Sequence, residues 1–223
     1  MRPFKSRYEI DHHAFEVASE ERDYWAGFIC ADGWVHPKGV AIQLASVDRA
    51  HLVKFRTFLK STYPITHMTT TGPPGHRERR LPADRIRITS REISTSLGRL
   101  GLGVKSLGRK ACDELKASRH FWRGVMDGDG TIGVYATKGP PTAALTLCGG
   151  KELIAQFQDF ISESGIPTRS QMREVKTLHL YTLNHTMAAL ACRLLYADSR
   201  VFLDRKLLKA RHAIETHLEE ALV

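Results

Sequence analysis

The chain has 223 residues, with 33 Lys and Arg against 24 Asp and Glu, a formal net charge of +9 and a sequence pI of about 9.6. Hydrophobic residues make up 42% and charged residues 26%, an ordinary globular balance with enough chain for one or two cores, and no run approaches the length of a membrane span. The basic balance favours an anionic partner, with nucleic acid ahead of a membrane surface.

Residues 1 to about 18 read as a polar lead-in, without the apolar stretch of a secretory signal. A helix follows to Gly33, with Ser19 as N-cap and Glu20 and Glu21 at its positive end. Apolar and small residues fill almost all of it, as in a helix buried on most sides. Trp34 to His36 and Val40 to Ser46 alternate as a strand pair. The next helix spans about Asp48 to Lys60, with Leu52, Phe55, Phe58 and Leu59 at helical spacing. Thr69 to Asp84 reads as a Pro/Gly-rich basic loop flanked by strands, since Arg85 to Thr89 alternates strictly. A helix from about Arg91 to Leu100 ends at Gly101 to Gly103, and residues 104 to 117 are linker-like with one short helix.

The second half repeats the plan. A helix over 118 to 130, N-capped by Ser118, leads to strands Thr131 to Thr137 and Ala143 to Cys148 around a Lys-Gly-Pro-Pro turn. Helix 151 to 164 carries Ile154, Phe157, Phe160 and Ile161, matching Leu52, Phe55, Phe58 and Leu59. Strands near Thr168 to Val175 and Leu178 to Leu183 precede a helix from Thr186 to Tyr196 and a terminal helix from Phe202. The expected fold class is α+β. It consists of two pseudo-symmetric αββαββα repeats, residues 1–114 and 115–223, each with a four-stranded antiparallel sheet.

One nonapeptide occurs in both halves. Trp25, Gly27, Asp32 and Gly33 recur as Trp122, Gly124, Asp129 and Gly130, offset by the 97 residues that separate Asp32 from Asp129. Gly33 and Gly130 sit where left-handed residues can end helices. Gly27 with Ala31, and Gly124 with Gly128, put small residues four apart on one face, so the two helices can cross closely. Asp32 and Asp129 then stand at helix C-termini, where the dipole and unpaired carbonyls disfavour a carboxylate. A divalent cation resolves that conflict. The two carboxylates, with the backbone carbonyls of Ala31 and Gly128, form a hard oxygen set suited to Mg²⁺, with Mn²⁺ or Ca²⁺ able to substitute. Such a pair beside a phosphate can support phosphodiester hydrolysis.

Strand parity supplies a binding face. Counting by twos from each Asp places Trp34, His36 and Lys38 on one side in the first half, and Thr131, Gly133, Tyr135 and Thr137 on the same side in the second. Gln43, Arg85 and Arg87, and Arg169, Gln171 and Arg173, fit that surface. A twisted antiparallel ribbon can enter the DNA major groove, where Arg reads guanine, Gln reads adenine and Thr contacts thymine methyls. Loop residues Arg77, Arg79 and Arg80 are candidate phosphate contacts.

The nonapeptides, together with "ERDYWAGFICADGWV", "LGRLGLGVKSLGRK", "RHFWRGVMDGDGTIGV" and "LDRKLLKA", resemble the LAGLIDADG homing endonucleases in their single-chain, two-repeat form. The eighth motif position carries the metal-binding acid, here Asp32 and Asp129. Cys30 departs from the motif at its sixth position. The resemblance implies a monomer that makes a metal-dependent double-strand break with short 3′ overhangs at a long asymmetric DNA site. It also favours Lys206 as a third catalytic group, with Lys105 a candidate counterpart in the first half. An RNA maturase with intron RNA as partner, or a DNA-binding regulator, is the alternative on the same fold. The ends of the chain do not suggest an intein. Cys30, Cys112, Cys148 and Cys192 show no CxxC spacing and read as buried free thiols. They point to an intracellular, reducing compartment, the cytoplasm of a prokaryotic or phage-infected cell or an organelle. The Asp127-Gly128-Asp129-Gly130 run fails as an EF-hand because Lys138 stands at the twelfth position.

Overall fold

A computed structural model describes residues 7–72, 78–103, 109–138, 141–167 and 172–218. The first repeat runs α1 (Glu20–Asp32), β1 (Gly33–His36), β2 (Gly39–Ala45), α2 (Arg49–Phe58), β3 (Ile65–Thr71), β4 (Arg80–Thr89) and α3 (Arg91–Arg99). A short helix α4 (Asp113–Lys116) leads into the second: α5 (Arg119–Asp129), β5 (Gly130–Tyr135), β6 (Thr142–Gly149), α6 (Lys151–Glu163), β7 (Arg173–Val175), β8 (Leu178–Asn184) and α7 (His185–Tyr196), followed by α8 (Asp204–Leu218). The sheets are antiparallel, with strand orders β1-β2-β4-β3 and β5-β6-β8-β7. The expected pair of αββαββα repeats is therefore the observed architecture.

Local chemistry sets the helix starts. Ser19 Oγ accepts from the Arg22 N–H at 3.1 Å, and Ser118 Oγ from the Phe121 N–H at 3.4 Å, satisfying donors that a first turn leaves open. The helix ends depart from expectation. Gly33 and Gly130 are extended, at φ −85° and −87°, and each helix passes directly into a strand. Glycine is needed there for space. A Cβ on Gly33 would stand 2.6 Å from Ile29 Cα, and one on Gly130 would strike the Met126 sulfur.

The basic hairpin also differs from its expected form. Much of Thr69 to Asp84 is strand, because Thr69, Thr70 and Thr71 pair with Pro82, Leu81 and Arg80. Branched threonines favour that conformation. Pairing of β2 to β4 ends at Ala45 and Ala83, so at Pro82 the strand has only β3 beside it, the edge situation proline tolerates.

Each sheet buries one face. Val35, Val40, Ile42, Ile86 and Ile88 line it in the first repeat, and Ile132, Leu145, Leu147, Tyr181 and Leu183 in the second. Trp25 packs on Phe55 at 5.0 Å between ring centroids, and Trp122 on Phe157 at 5.2 Å. Both repeats share one continuous core. Cys30 and Cys192 are buried, Cys112 and Cys148 are half-buried, and all four are free thiols. No helix among the described residues is long and apolar enough to cross a membrane.

Candidate active site and nucleic-acid interface

The site is built by the crossing of α1 and α5. A Cβ on Gly27 would strike the Phe121 carbonyl oxygen, and one on Gly124 would strike the Tyr24 carbonyl and stand 2.7 Å from the Phe28 nitrogen. The backbones therefore touch, which only glycine permits. One turn further, Gly128 faces the Ala31 methyl, and a Cβ there would lie 3.4 Å from Asp32 Oδ2. Asp32 of one repeat thus abuts the residue preceding Asp129 of the other. Asp32 is exposed and Asp129 half-buried, so neither carboxylate is sealed into the core.

Each acid opens toward its own sheet. Asp32 shares a cavity of about 350 Å³ with Trp34, His36, Gln43, Arg85 and Arg87. Asp129 lines a second, of about 400 Å³, with Cys30, Arg109, Cys148 and Leu178.

Cations cap both helix ends. Lys206 is only 4% exposed, and its Nζ donates to the Met126 carbonyl at 3.2 Å and to the Gly130 carbonyl. Burial pushes its ammonium down to about 8, against the attraction of Asp127 and Asp32. Its counterpart in the first repeat is Arg109, which stands 97 residues earlier, the same offset as the nonapeptides. Arg109 Nη1 donates to the Ile29 and Cys30 carbonyls at 2.7 and 2.5 Å, and Nη2 to the Gly33 carbonyl at 3.2 Å. Ile29 and Gly33 are the equivalents of Met126 and Gly130. Lys105, expected in this role, lies outside the described residues. The constant offset was the signal that could have found Arg109.

Asp127, at the sixth motif position, is fully buried. It accepts from the hydroxyls of Tyr24 and Tyr196 and from the Leu203 N–H, each at 2.7 Å. Burial raises its pKa. The Leu203 bond fixes the start of α8 and so the approach of Lys206. Tyr24 gives its one hydroxyl hydrogen to Asp127, so the His51 Nε2, 2.9 Å from the same oxygen, is the protonated ring nitrogen.

The outer sheet faces carry most of the described residues nominated for DNA. Trp34 is 68% exposed and Tyr135 52%; Gln43, Arg87, Thr131 and Arg173 are exposed, and His36 and Arg85 half-buried. Lys38 and Thr137 do not fit the parity argument. β1 ends at His36 and β5 at Tyr135, so both residues lie beyond the strands whose alternation was counted. Arg79 is exposed beside β4, and Arg80 belongs to that strand rather than to a loop. Arg77, Arg169 and Gln171 lie outside the described residues.

Strand register sets which residues of the two sheets correspond. Gly33 pairs with Ile42, itself opposite Ile86, and Gly130 with Leu147, itself opposite Tyr181. The equivalents of Arg85 and Arg87 are therefore Leu180 and Thr182.

Among the described residues no group of three or more His, Cys, Asp or Glu side chains is placed to hold a metal. A cation at this site would draw on the two carboxylates, on main-chain carbonyls, on water and on substrate phosphate. Mg²⁺ is commonly held that way, through one or two carboxylates with several waters retained.

No family model and no curated protein matches the chain. Solved structures do. The meganuclease I-SmaMI bound to uncleaveable DNA is 12% identical at a TM-score of 0.61, covering 89% of this chain and 88% of its own. The homing endonuclease I-WcaI bound to its DNA recognition sequence is 12% identical at 0.62, covering 86% of each chain. The LAGLIDADG meganuclease I-AabMI bound to uncleaved DNA is 11% identical at 0.56, covering 86% and 88%. The fold is that of the two-repeat LAGLIDADG homing endonucleases.

Proposed function

We propose that this chain is a divalent-metal-dependent DNA endonuclease that makes a double-strand break at a long asymmetric site, as homing endonucleases do. One observation carries the reading. Asp32 stands against Gly128, the residue before Asp129, at the foot of two helices whose contact tolerates no Cβ, although the two acids are far apart in sequence. DNA bound in solved structures of this fold supports the choice of substrate. The net charge of +9 agrees with it.

Asp32 and Asp129 would hold Mg²⁺, with the carbonyls of Ala31 and Gly128 completing the set. Bound there, the ion supplies Lewis acidity and a lowered pKa for its water. The protein's own groups do the rest. Outer sheet residues seat the duplex so that each acid faces one strand. Lys206 and Arg109 hold the helix ends and place fixed positive charge beside the acids, where a phosphorane would accumulate negative charge. Because one chain supplies both acids, a monomer is sufficient.

The test is cleavage of the uninterrupted host site or a pooled target library with Mg²⁺, repeated with EDTA. Asp32→Asn and Asp129→Asn each remove double-strand cutting and retain duplex binding, and EDTA stops the wild-type reaction. Cutting that persists in EDTA, or full activity in either variant, refutes the assignment. Duplex binding without cutting of any library member supports a regulator on the same fold.

A further inference from the structure

The two outer sheet faces differ in kind, row by row. In the first repeat the row beside Asp32 pairs Gln43 with Arg85, and the next joins Trp34, Ala41 and Arg87. In the second repeat the equivalent rows hold Cys148 with Leu180 and, on the edge strand, Arg173, then Thr131 with Thr146 and Thr182. Along the inner strands the two guanidinium groups of β4 thus correspond to an aliphatic side chain and a threonine of β8, and the guanidinium of the second face, Arg173, stands on the edge strand β7. The Thr146 and Thr182 hydroxyls also bond to each other at 2.9 Å. That bond occupies one of the two hydroxyl hydrogens, and both threonines also carry methyl groups.

A guanidinium matches the O6 and N7 acceptors of guanine in a bidentate pair, whereas methyl and aliphatic groups contact the thymine C5-methyl. Resting on the endonuclease reading, we infer that the DNA site has two chemically unlike halves. The half under the first repeat is specified by guanines read by Arg85 and Arg87. The half under the second is rich in thymine contacts made through Leu180, Thr146 and Thr182. The geometry also sets a spacing. Residues two apart on an antiparallel strand are separated by about 6.8 Å, the rise of roughly two base pairs. The two guanines therefore stand about two base pairs apart, and the one read by Arg85 lies nearer the cleavage centre because its row is the one beside Asp32.

The experiment is selection of long randomised duplexes by the full chain in Ca²⁺, followed by sequencing, for the wild type and three variants. Wild-type selection yields one half with two guanines at that spacing and one half enriched in thymine. Arg85→Ala flattens the inner guanine preference and Arg87→Ala the outer one, each by about tenfold or more, and both leave the thymine half intact. Thr182→Ser keeps the hydroxyl, removes the methyl, and weakens preference only in the thymine half. Two halves of like composition, guanine preferences that survive both arginine variants, or retention of duplexes without sequence enrichment overturn the partition while leaving the endonuclease reading standing. Failure of the wild type to retain any duplex overturns that reading and this one with it.

Discussion

His51 shows how one buried side chain can set the acid tolerance of the molecule. It is enclosed by Trp25 and Phe28, with ring centroids 4.7 and 4.6 Å away, and bonds to Tyr24. Burial, reinforced by Lys54, pushes its imidazole down to about 3. Between the ordinary histidine value of about 6.5 and that figure, the unfolded chain binds a proton that the native state refuses, so stability falls as pH drops through this window. From pH 6.5 to 4.5 the loss from this group is about 2–3 kcal/mol. His51→Gln keeps a donor for Tyr24 without the titration. Urea midpoints at both pH values should therefore separate by less in the variant; an equal separation would place the acid sensitivity elsewhere. Residue by residue, the acids were legible because motif and offset name them. Arg109 was not, because a cation that caps carbonyls has no motif of its own. His51 was hidden for a related reason, since only the fold brings Tyr24, Trp25 and Phe28 around it.

At the scale of elements, the crossing of α1 and α5 carries the geometry of the proposed site. Its sequence signal, small residues four apart, was readable because close approach demands the absence of side chains. The extended Gly33 and Gly130 were not. A helix-ending glycine reads as left-handed unless one knows that a strand leaves directly from the last turn. Gly27→Ala or Gly124→Ala must push the two backbones apart, with a stability loss at or above the ~1–3 kcal/mol of ordinary overpacking, and cutting should fall more than duplex binding because the acids separate. Gly98→Ala is the control. It is exposed on α3, and a Cβ there meets nothing within 4 Å, so helix propensity alone should raise stability by roughly 0.5–1 kcal/mol. Thermal unfolding of the three variants decides the matter. A mild effect at Gly27 would mean the helices can part without harm.

On the scale of the whole molecule, ionic ties between the repeats supplement the shared core. Arg123 of α5 is fully buried and reaches Glu20 of α1 at 2.8 Å, the Val201 carbonyl at 2.9 Å and the Leu195 carbonyl at 3.1 Å. The same Glu20 oxygen accepts from the Arg200 N–H at 2.7 Å. On another side Lys54 meets Asp204 at 2.8 Å, and Arg205 meets Asp48 at 3.1 Å. These contacts bind α1 and α2 of the first repeat to α5, α8 and the loop before α8 in the second. A chain held this way should unfold in one step, with calorimetric and van't Hoff enthalpies equal. Glu20→Ala should cost about 3 kcal/mol, because it leaves a buried guanidinium without its carboxylate. Arg123→Met should cost less, since it removes the buried charge along with the tie. Both should still melt in a single transition. Two separated transitions in the wild type would show instead that each repeat is stable alone, and that the shared core and these ion pairs merely dock two finished units.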